Sequence, residues 1–480
     1  MKRFESLMVL GLVVAFTSFT AIAAGSTIVQ FWTHEVSEEQ LEIQNELAAR
    51  FMVQFPDIEV EVIPMDTGNY LQKLLTAAGA GQLPDVVYHP MDFAFVLAKQ
   101  YQEVFDTEAA AEVMNELGIN PGEAQIPIIP ADGWKFLLLY RKDLFDAYGL
   151  DIPDTWDKIR QAAGALHNPP ELWGIEVGTD PDQAYMAQIF NWFALSNGAL
   201  PLDENSEINL DTPEFVEALG VYKELTSFNP SEYVGWQRAR SDYLEGRAAM
   251  IIWPSLILDE LAGLRDDTPV ADPELYGNTG FVSGIVGPNG AAEYSYVNCF
   301  GITIDADTEA AKEWVRYLLS EGYLQWLSMV PEGKLPLWKG TAADHDAFLD
   351  EWMGLEFGVD RREPISEFYS SEAVNTILSG VEGFAFDRWP FEAWGLSGDG
   401  MDVINPNLVR FLDGEIVAAA AAQLMTTWLN EAAGTVGMPP RLAESLEDCV
   451  NRVYRDCVDY GGWSWFCKIM AASHCALTHI

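Results

Sequence analysis

The feature that most constrains the fold of this chain is a regular alternation of short apolar runs and amphipathic stretches near its N-terminus. Three runs are short and rich in β-branched or aromatic residues: residues 27–32 (TIVQFW), 58–63 and 84–88. Such runs predict β-strands. Because helical sequence separates each pair of runs, the order β-α-β-α-β predicts a parallel sheet with right-handed crossovers.

The helices between these strands are marked by their own sequence patterns. Ser37 and Gln40 form a capping-box pattern at the start of the first helix. Large apolar residues then recur at every fourth position: Ile43, Leu47, Phe51 and Phe55. This spacing predicts one buried helix face, and the helix ends at Pro56. A second helix is predicted around residues 70–80.

Similar patterns recur further along the chain. Apolar strands are predicted at residues 136–139, 246–250 and 301–304. Residues 153–157 place an N-cap before a helix, and Thr308 is predicted to cap another. We therefore expect parallel α/β organisation in both halves of the chain, with ligand-binding loops at the carboxyl ends of the strands.

The charge balance excludes some classes of partner. The chain has 73 acidic residues against 27 Lys and Arg, which leaves a formal net charge of −46. A surface this negative repels phosphate backbones and anionic lipids, so nucleic-acid binding and membrane docking are not expected. The charge is spread along the chain rather than gathered in one tail, which favours a solvated surface in a salty habitat over a specific acidic binding segment.

The first residues have the pattern of an export signal. Residues 1–3 (MKR) are basic at two positions, residues 7–19 form an apolar run, and Ala21 and Ala23 suit a cleavage site. The run is too short to span a bilayer. We predict a signal peptide over residues 1–23 and export to the periplasm, without a lipid anchor because no cysteine lies near the site.

The sequence lacks the common signatures of catalytic sites. It contains no G-x-S-x-G, H-E-x-x-H, P-loop or G-x-G-x-x-G pattern. Residues 180–182 and 305–309 resemble parts of a calcium loop, but neither supplies the glycine and terminal glutamate at the required spacing. His34 and His89 follow neighbouring strands, but no third ligand completes a zinc site. We expect no enzyme activity, metal or cofactor.

Seven segments in a fixed order carry a resemblance to a known family. They are residues 31–33 (FWT), the capped helix that follows, and residues 81–93, 137–159, 191–219, 243–255 and 300–327. Together they resemble the extracellular solute-binding proteins of ABC importers, and most closely the carbohydrate-binding subgroup that includes maltose-binding protein. The resemblance covers roughly residues 27–437.

The resemblance implies an α/β fold of two interrupted lobes, a hinge of two or three crossings, and a central ligand cleft. The implied boundaries are residues 26–131 and 299–333 for the first lobe and residues 134–297 and 336–438 for the second.

Sugar chemistry explains which side chains such a cleft would need. Sugars present apolar C–H faces and a rim of hydroxyls, so their sites combine aromatic rings with carboxylates, amides and arginines. The resemblance implies ligand-binding roles for Trp32, His34, Glu35, His89, Asp92, Trp134, Tyr185, Gln188, Trp253, Asp387, Arg388 and Trp389. Maltodextrin-binding members have a stacking tryptophan where this chain has Leu256, which argues against a maltodextrin ligand.

Core packing is the alternative for many of these aromatic residues. Ligand stacking and core packing both remain open for Trp32, Trp134, Trp253 and Trp389. Other tryptophans lie on helical patterns and are expected in the core: Trp156, Trp314, Trp326, Trp352 and Trp428. Glu35 and Asp92 could also be ordinary carboxylates at loop ends.

Four cysteines near the C-terminus form a C-x7-C-x9-C-x7-C pattern: Cys449, Cys457, Cys467 and Cys475. Helix-compatible sequence flanks a turn at residues 460–463. Cysteines eight residues apart on one helix lie about 12 Å apart, beyond the reach of about 7 Å for a disulfide. We therefore predict a helical hairpin over residues 441–480 with the nested disulfides Cys449–Cys475 and Cys457–Cys467. Zinc binding is the weaker alternative, and Cys299 is expected in the core.

The sequence thus predicts a substrate-binding component of an ABC importer. It would capture a neutral sugar or oligosaccharide by cleft closure and deliver it to the membrane permease subunits, as a monomer. Two alternatives remain open. One is a secreted carbohydrate-active enzyme, and the other is a binding protein for a non-sugar solute such as a polyamine or a glycerol phosphoester.

Overall fold

A computed structural model describes residues 26–91, 93–94, 97, 104–118, 127–200, 208–338, 340, 347–379 and 398–435. The predicted signal segment and the four C-terminal cysteines lie outside these residues, so the predictions for them stay predictions. Within the described ranges, no helix is long and apolar enough to cross a membrane.

The strands, in chain order, are β1 Thr27–Thr33, β2 Ile58–Pro64, β3 Val86–Pro90, β4 Ile129–Arg141, β5 Met250–Pro254, β6 Thr279–Val282, β7 Ile285–Val286, β8 Ala291–Ala292, β9 Ser295–Ile302, β10 Leu335–Pro336, β11 Glu356–Phe357 and β12 Glu363–Pro364. The helices are α1 Glu38–Gln54, α2 Tyr70–Ala80, α3 Thr107–Glu116, α4 Lys142–Tyr148, α5 Trp156–Leu166, α6 Ala184–Ser196, α7 Pro213–Thr226, α8 Trp236–Leu244, α9 Leu258–Leu261, α10 Leu275–Asn278, α11 Thr308–Leu318, α12 Tyr323–Leu327, α13 Ala347–Trp352, α14 Ile365–Phe368, α15 Ser371–Leu378, α16 Met401–Leu412 and α17 Ala418–Thr435.

The N-terminal segment folds as its sequence predicts. β1 lies between β2 and β3 and runs parallel to both, with Phe31 opposite Val62 and Val86. The predicted capping box of α1 is confirmed. The backbone N–H of Gln40 donates to Ser37 Oγ at 3.2 Å, and the backbone N–H of Ser37 donates to Gln40 Oε1 at 3.1 Å. The loop after β1 is therefore held between a sheet and a capped helix.

Three segments connect two lobes. The first part of β4 pairs with β9 and β10 beside β3 and β1, and this sheet with its helices is the first lobe. The second part of β4 pairs with β5 and β6, which form the second lobe with their helices. The chain thus leaves the first lobe along β4, returns along β9, and passes the junction again at β10.

Parallel pairing is confirmed among β1, β2 and β3 and, in the second half of the chain, at the bridges Trp173–Ala248 and Glu176–Ile251, but β4 and the strands that pair with it do not follow the expectation. β9 is antiparallel to β3 and β4, and both β5 and β6 are antiparallel to β4. The reason is the route of the chain, since neighbouring segments that leave and re-enter a lobe must run in opposite directions. These strands approach closely at Gly133, where a Cβ atom would lie 2.2 Å from the Tyr296 carbonyl oxygen.

Most of the tryptophans that were predicted to lie in the core are buried there. Trp156, Trp314, Trp326 and Trp352 are buried, but Trp428 is exposed, so the prediction for Trp428 is wrong. Cys299 is buried, as expected. The N-cap of α11 is Asp307 rather than Thr308, because the Asp307 carboxylate accepts from the backbone N–H of Ala310 at 3.2 Å.

Candidate functional site

The loop that follows β1 is the first part of the candidate site. Thr33 Oγ1 accepts from the backbone N–H of Glu35 at 3.1 Å and turns the chain out of the strand. The imidazole of His34 stacks on Tyr88 of β3, with ring centroids 4.8 Å apart. The side chains of His34 and Glu35 keep 14% and 13% of their surface exposed, and Trp32 is half-buried. The loop therefore presents an indole, an imidazole and a carboxylate.

A buried lysine compensates the charge of Glu35. Lys334 Nζ lies 2.6 Å from Glu35 Oε1 and donates to Tyr88 Oη at 2.6 Å. The same ammonium lies 3.4 Å from the Asp132 carboxylate. The other oxygen of Glu35, Oε2, accepts from Gln40 Nε2 at 2.5 Å. Both oxygens of Glu35 are therefore held in place by neighbouring donors.

This arrangement determines the protonation states of the loop. Burial by itself would raise the pKa of Glu35, but the Lys334 ammonium outweighs burial and lowers that pKa below its usual value. Burial lowers the pKa of His34 and outweighs the attraction of Glu35, so the imidazole is neutral near pH 7. The Lys334 ammonium thus offsets part of the negative charge of Glu35 and Asp132, which makes the loop more suitable for a neutral ligand with hydroxyl groups.

His89 belongs to the interior rather than to the exposed loop. Its ring is fully buried and stacks on Phe93 and Phe105, at 6.0 and 5.6 Å between centroids. Its Nδ1 lies 2.6 Å from the Pro90 carbonyl oxygen, and burial lowers the pKa of His89 to about 4. We therefore leave His89 out of the proposed ligand contacts. Among the residues with described positions, no group of three metal-ligating side chains converges.

A pair of stacked rings lies where the crossing strands meet. Trp134 of β4 and Tyr296 of β9 are opposite each other in the ladder, with ring centroids 4.3 Å apart and an interplanar angle of 17°. Both rings are half-buried. The structure thus places Trp134 at the predicted first crossing between the lobes, on an aromatic surface that can contact a ligand.

Asp399 holds this pair from the second lobe. Its buried carboxylate accepts hydrogen bonds from the hydroxyls of Tyr294 and Tyr296, and from Gln188 Nε2 at 2.8 Å. Gln188 also donates to Tyr296 Oη at 3.0 Å. Asp399 has a φ of 60°, a left-handed conformation that non-glycine residues adopt only at a cost. Tyr296 therefore contacts both Gln188 and Trp134, two of the predicted ligand-binding residues.

Tyr185, Trp253 and Trp236 form a second aromatic group. The Tyr185 and Trp253 rings are 5.5 Å apart, and the Trp253 and Trp236 rings are 6.1 Å apart. Trp253 is buried inside β5, so the expectation that it follows its strand is wrong. Trp236 is 39% exposed, and the Arg240 guanidinium lies 5.2 Å from its ring centroid. The accessible ring of this group is therefore Trp236.

Four predicted site residues cannot be placed. Asp92, Asp387, Arg388 and Trp389 lie outside the described residues, so their ligand-binding roles remain predictions.

Several residues that build the site were not predicted from the sequence. They are Tyr88, Asp132, Trp236, Tyr296, Lys334 and Asp399. Trp236 and Tyr296 could have been predicted as ligand contacts, since both are large aromatic residues close to segments that resemble the family. No sequence pattern indicates Lys334 or Asp132, because each acts through a partner that is far away in sequence.

Together, these groups can stack on the apolar face of a ligand, accept hydrogen bonds from its hydroxyls and donate hydrogen bonds to them. Glu35 supplies an acceptor, Gln188 an amide, and Trp134 and Trp236 supply accessible rings. This combination is typical of carbohydrate sites.

Sequence comparisons match this chain to known binding proteins. The family model for bacterial extracellular solute-binding proteins matches residues 37–325. The putative ABC transporter periplasmic-binding protein YcjN of Escherichia coli (strain K12) is 28% identical over 331 residues, which cover 65% of this chain and 74% of that protein.

Solved structures with low sequence identity share the fold. The cyclic α-maltosyl-1,6-maltose binding protein from Arthrobacter globiformis has a TM-score of 0.63 at 16% identity, over 86% of this chain and 100% of that chain. A solute-binding protein from Thermotoga lettingae TMO bound to α-D-tagatose has a TM-score of 0.60 at 19% identity, over 85% and 100%. The maltose-bound T. maritima MalE3 has a TM-score of 0.58 at 21% identity, over 84% and 100%.

Proposed function

The chain belongs to the bacterial extracellular solute-binding proteins, and from this premise we propose that it captures a neutral sugar or polyol for an ABC importer. The ligand would bind between the two lobes and be delivered to membrane permease subunits. We further propose that residues 1–23 direct export to the periplasm, that the lobes have the boundaries predicted from the sequence, and that the protein acts as a monomer.

The observation that carries this proposal is the stack of Trp134 on Tyr296. The two rings lie on β4 and β9, the strands that join the lobes, and both are half-buried. A flat aromatic surface at this junction suits the C–H face of a sugar ring. Glu35 from the first lobe and Gln188 from the second offer polar groups to its hydroxyls.

Capture would proceed by closure of the lobes. A ligand that contacts both lobes binds the closed conformation more tightly than the open one, so it raises the closed population by that difference in affinity. The proposed contacts are Trp32, His34, Glu35 and Trp134 on the first lobe and crossing, and Gln188 and Trp236 on the second. The predicted contacts Asp92, Asp387, Arg388 and Trp389 complete this proposed set.

A thermal-shift screen tests the proposal. The neutral probes are maltose, D-tagatose, D-mannitol and ribitol, which are bound in structures of proteins with a similar fold. The charged probes are spermidine and glycerol 3-phosphate. We expect at least one neutral probe to raise the melting temperature at saturating concentration, because binding to the folded state alone stabilises it. Stabilisation by a charged probe alone would overturn the proposal.

A further inference from the structure

Lys334 occupies an unusual place between the ligand loop and the hinge. It directly precedes β10, the last of the three crossing segments, and its side chain is only 2% exposed. Its aliphatic stem ends between rings, with Nζ 4.6 Å from the centroid of Tyr88 and 4.9 Å from that of Trp326. A buried ammonium needs several hydrogen-bonding or charged partners. Lys334 has such partners on two sides, toward the crossing segments and toward the ligand loop.

The first direction leads to the hinge. Lys334 Nζ lies 3.4 Å from the Asp132 carboxylate on β4. That carboxylate also accepts from Trp326 Nε1 at 2.7 Å, from Tyr88 Oη at 2.7 Å and from Asn298 Nδ2 at 3.2 Å. Since Asn298 lies on β9, all three crossing segments contribute to one buried polar cluster around Asp132.

The second direction leads to the ligand loop. Lys334 Nζ lies 2.6 Å from Glu35 Oε1, and the backbone of Glu35 is tied to Thr33 at the end of β1. The Glu35 side chain is 13% exposed, and Lys334 binds its carboxylate from inside. Lys334 therefore touches both the ligand loop and the polar cluster around Asp132, as Tyr88 does through its contacts with His34 and Asp132.

We propose that Lys334 is a positioning residue for ligand binding, which holds the Glu35 carboxylate in a fixed orientation and ties it to the crossing segments. Its ammonium is shared by the carboxylates of Glu35 and Asp132, so it offsets part of their negative charge and weakens the attraction of the loop for cations. Lys334 thereby helps to restrict the ligand to neutral, hydroxyl-rich compounds. This inference rests on the proposed function, but the state of Glu35 can be measured without any ligand.

The test is an NMR titration of Glu35 in ligand-free protein labelled with [5-13C]glutamate. The Glu35→Gln variant identifies the signal by its loss. We expect a pKa below the ordinary value of about 4.3 in the wild type. We expect a rise of at least one unit in Lys334→Met and a smaller change in Lys334→Arg. Lys312→Met is the matched control, because Lys312 is also buried and paired, with Glu112 and Glu309 at 2.5 and 2.6 Å. It should leave the Glu35 titration unchanged.

Two results would overturn the inference. One is a wild-type pKa of Glu35 at or above its ordinary value, a result that does not depend on the Lys334→Met variant folding. The other is a folded Lys334→Met protein in which Glu35 titrates as in the wild type. A negative sugar screen would instead overturn the proposed function and leave these results intact. For any neutral probe that binds the wild type, Lys334→Met should weaken binding about tenfold or more and Lys312→Met should not.

Discussion

The indole of Trp134 lies parallel to the phenol of Tyr296, with ring centroids 4.3 Å apart, on the two long strands that join the lobes. Because the Tyr296 hydroxyl donates to Asp399, this stack is coupled to the second lobe as well as to the crossing. A ligand that stacks here would touch the strands that join the two lobes.

Replacing Trp134 by alanine should weaken binding of a neutral sugar or polyol by at least about tenfold, equal to about 1.4 kcal/mol. The expected cause is loss of the stacking surface. Isothermal titration calorimetry measures the change. Trp173→Ala is a matched control, since Trp173 is also half-buried but pairs with Ala248, which precedes the end of β5 that lies opposite Tyr140 rather than Trp134. Equal losses of affinity in both variants would contradict the role of Trp134.

Asp399 should tolerate asparagine better than alanine. Asparagine adopts the left-handed conformation at φ 60° readily and keeps one acceptor for the tyrosine hydroxyls, whereas alanine keeps neither. We expect Asp399→Ala to lower the free energy of unfolding by about 3 kcal/mol or more and Asp399→Asn by about 1 kcal/mol. Urea denaturation compares the two, and an equal loss would show that backbone conformation contributes little here.

The protein should lose stability as the pH rises from about 5 to 9. Burial raises the pKa of Glu332 to about 8 and that of Glu176 to about 9. The unfolded chain releases these protons near its ordinary pKa, while the folded protein retains them. Each group therefore lowers the free energy of unfolding by about 1.4 kcal/mol per pH unit until its folded pKa is passed.

Glu332→Gln should reduce this slope, because glutamine carries no titrating proton. Melting temperatures of wild type and variant at pH 5, 7 and 9 give the comparison. A difference between the two proteins that stays constant across this range would contradict the prediction.

His89 should have the opposite dependence at lower pH. Its pKa is lowered from about 6.5 to about 4 by burial, so the unfolded chain binds a proton that the folded protein excludes. As the pH falls from 6.5 to 4, His89 should lower the free energy of unfolding by about 1.4 kcal/mol per unit. His89→Phe keeps a ring between Phe93 and Phe105 and should remove this dependence in a pH series of melting curves. An unchanged dependence would show that the pKa of His89 is the same in the folded and unfolded protein.

The C-terminal cysteines should form nested disulfides. Mass mapping of the non-reduced protein is expected to find Cys449 linked to Cys475 and Cys457 linked to Cys467, because sequential pairs on one helix are too far apart. A peptide that links Cys449 to Cys457 would contradict the hairpin.

Local patterns were enough to predict the N-terminal β-α-β-α-β unit and the start of its first helix. Ser37 and Gln40 bond to each other within one turn, so their effect depends only on neighbouring residues. The strand that contains Trp253 begins later than predicted, because Gly246 adopts a φ of 77° and the chain turns there.

Long-range contacts explain what the sequence could not predict about the site. Lys334 meets Glu35, and Asp132 meets Trp326, only after the crossing segments come together. No rule based on composition or residue spacing predicts such contacts. The left-handed Asp399 was equally hidden, because aspartate adopts this conformation only when its surroundings stabilise it.

The central claim is that the lobes bind a neutral carbohydrate at the crossing, and calorimetric titration tests it most directly. Wild-type protein should bind at least one of maltose, D-tagatose, D-mannitol and ribitol in a saturable manner with one site per chain, and Trp134→Ala should bind the same compound at least about tenfold more weakly. Binding of spermidine or glycerol 3-phosphate with no response to the four neutral compounds would contradict the account.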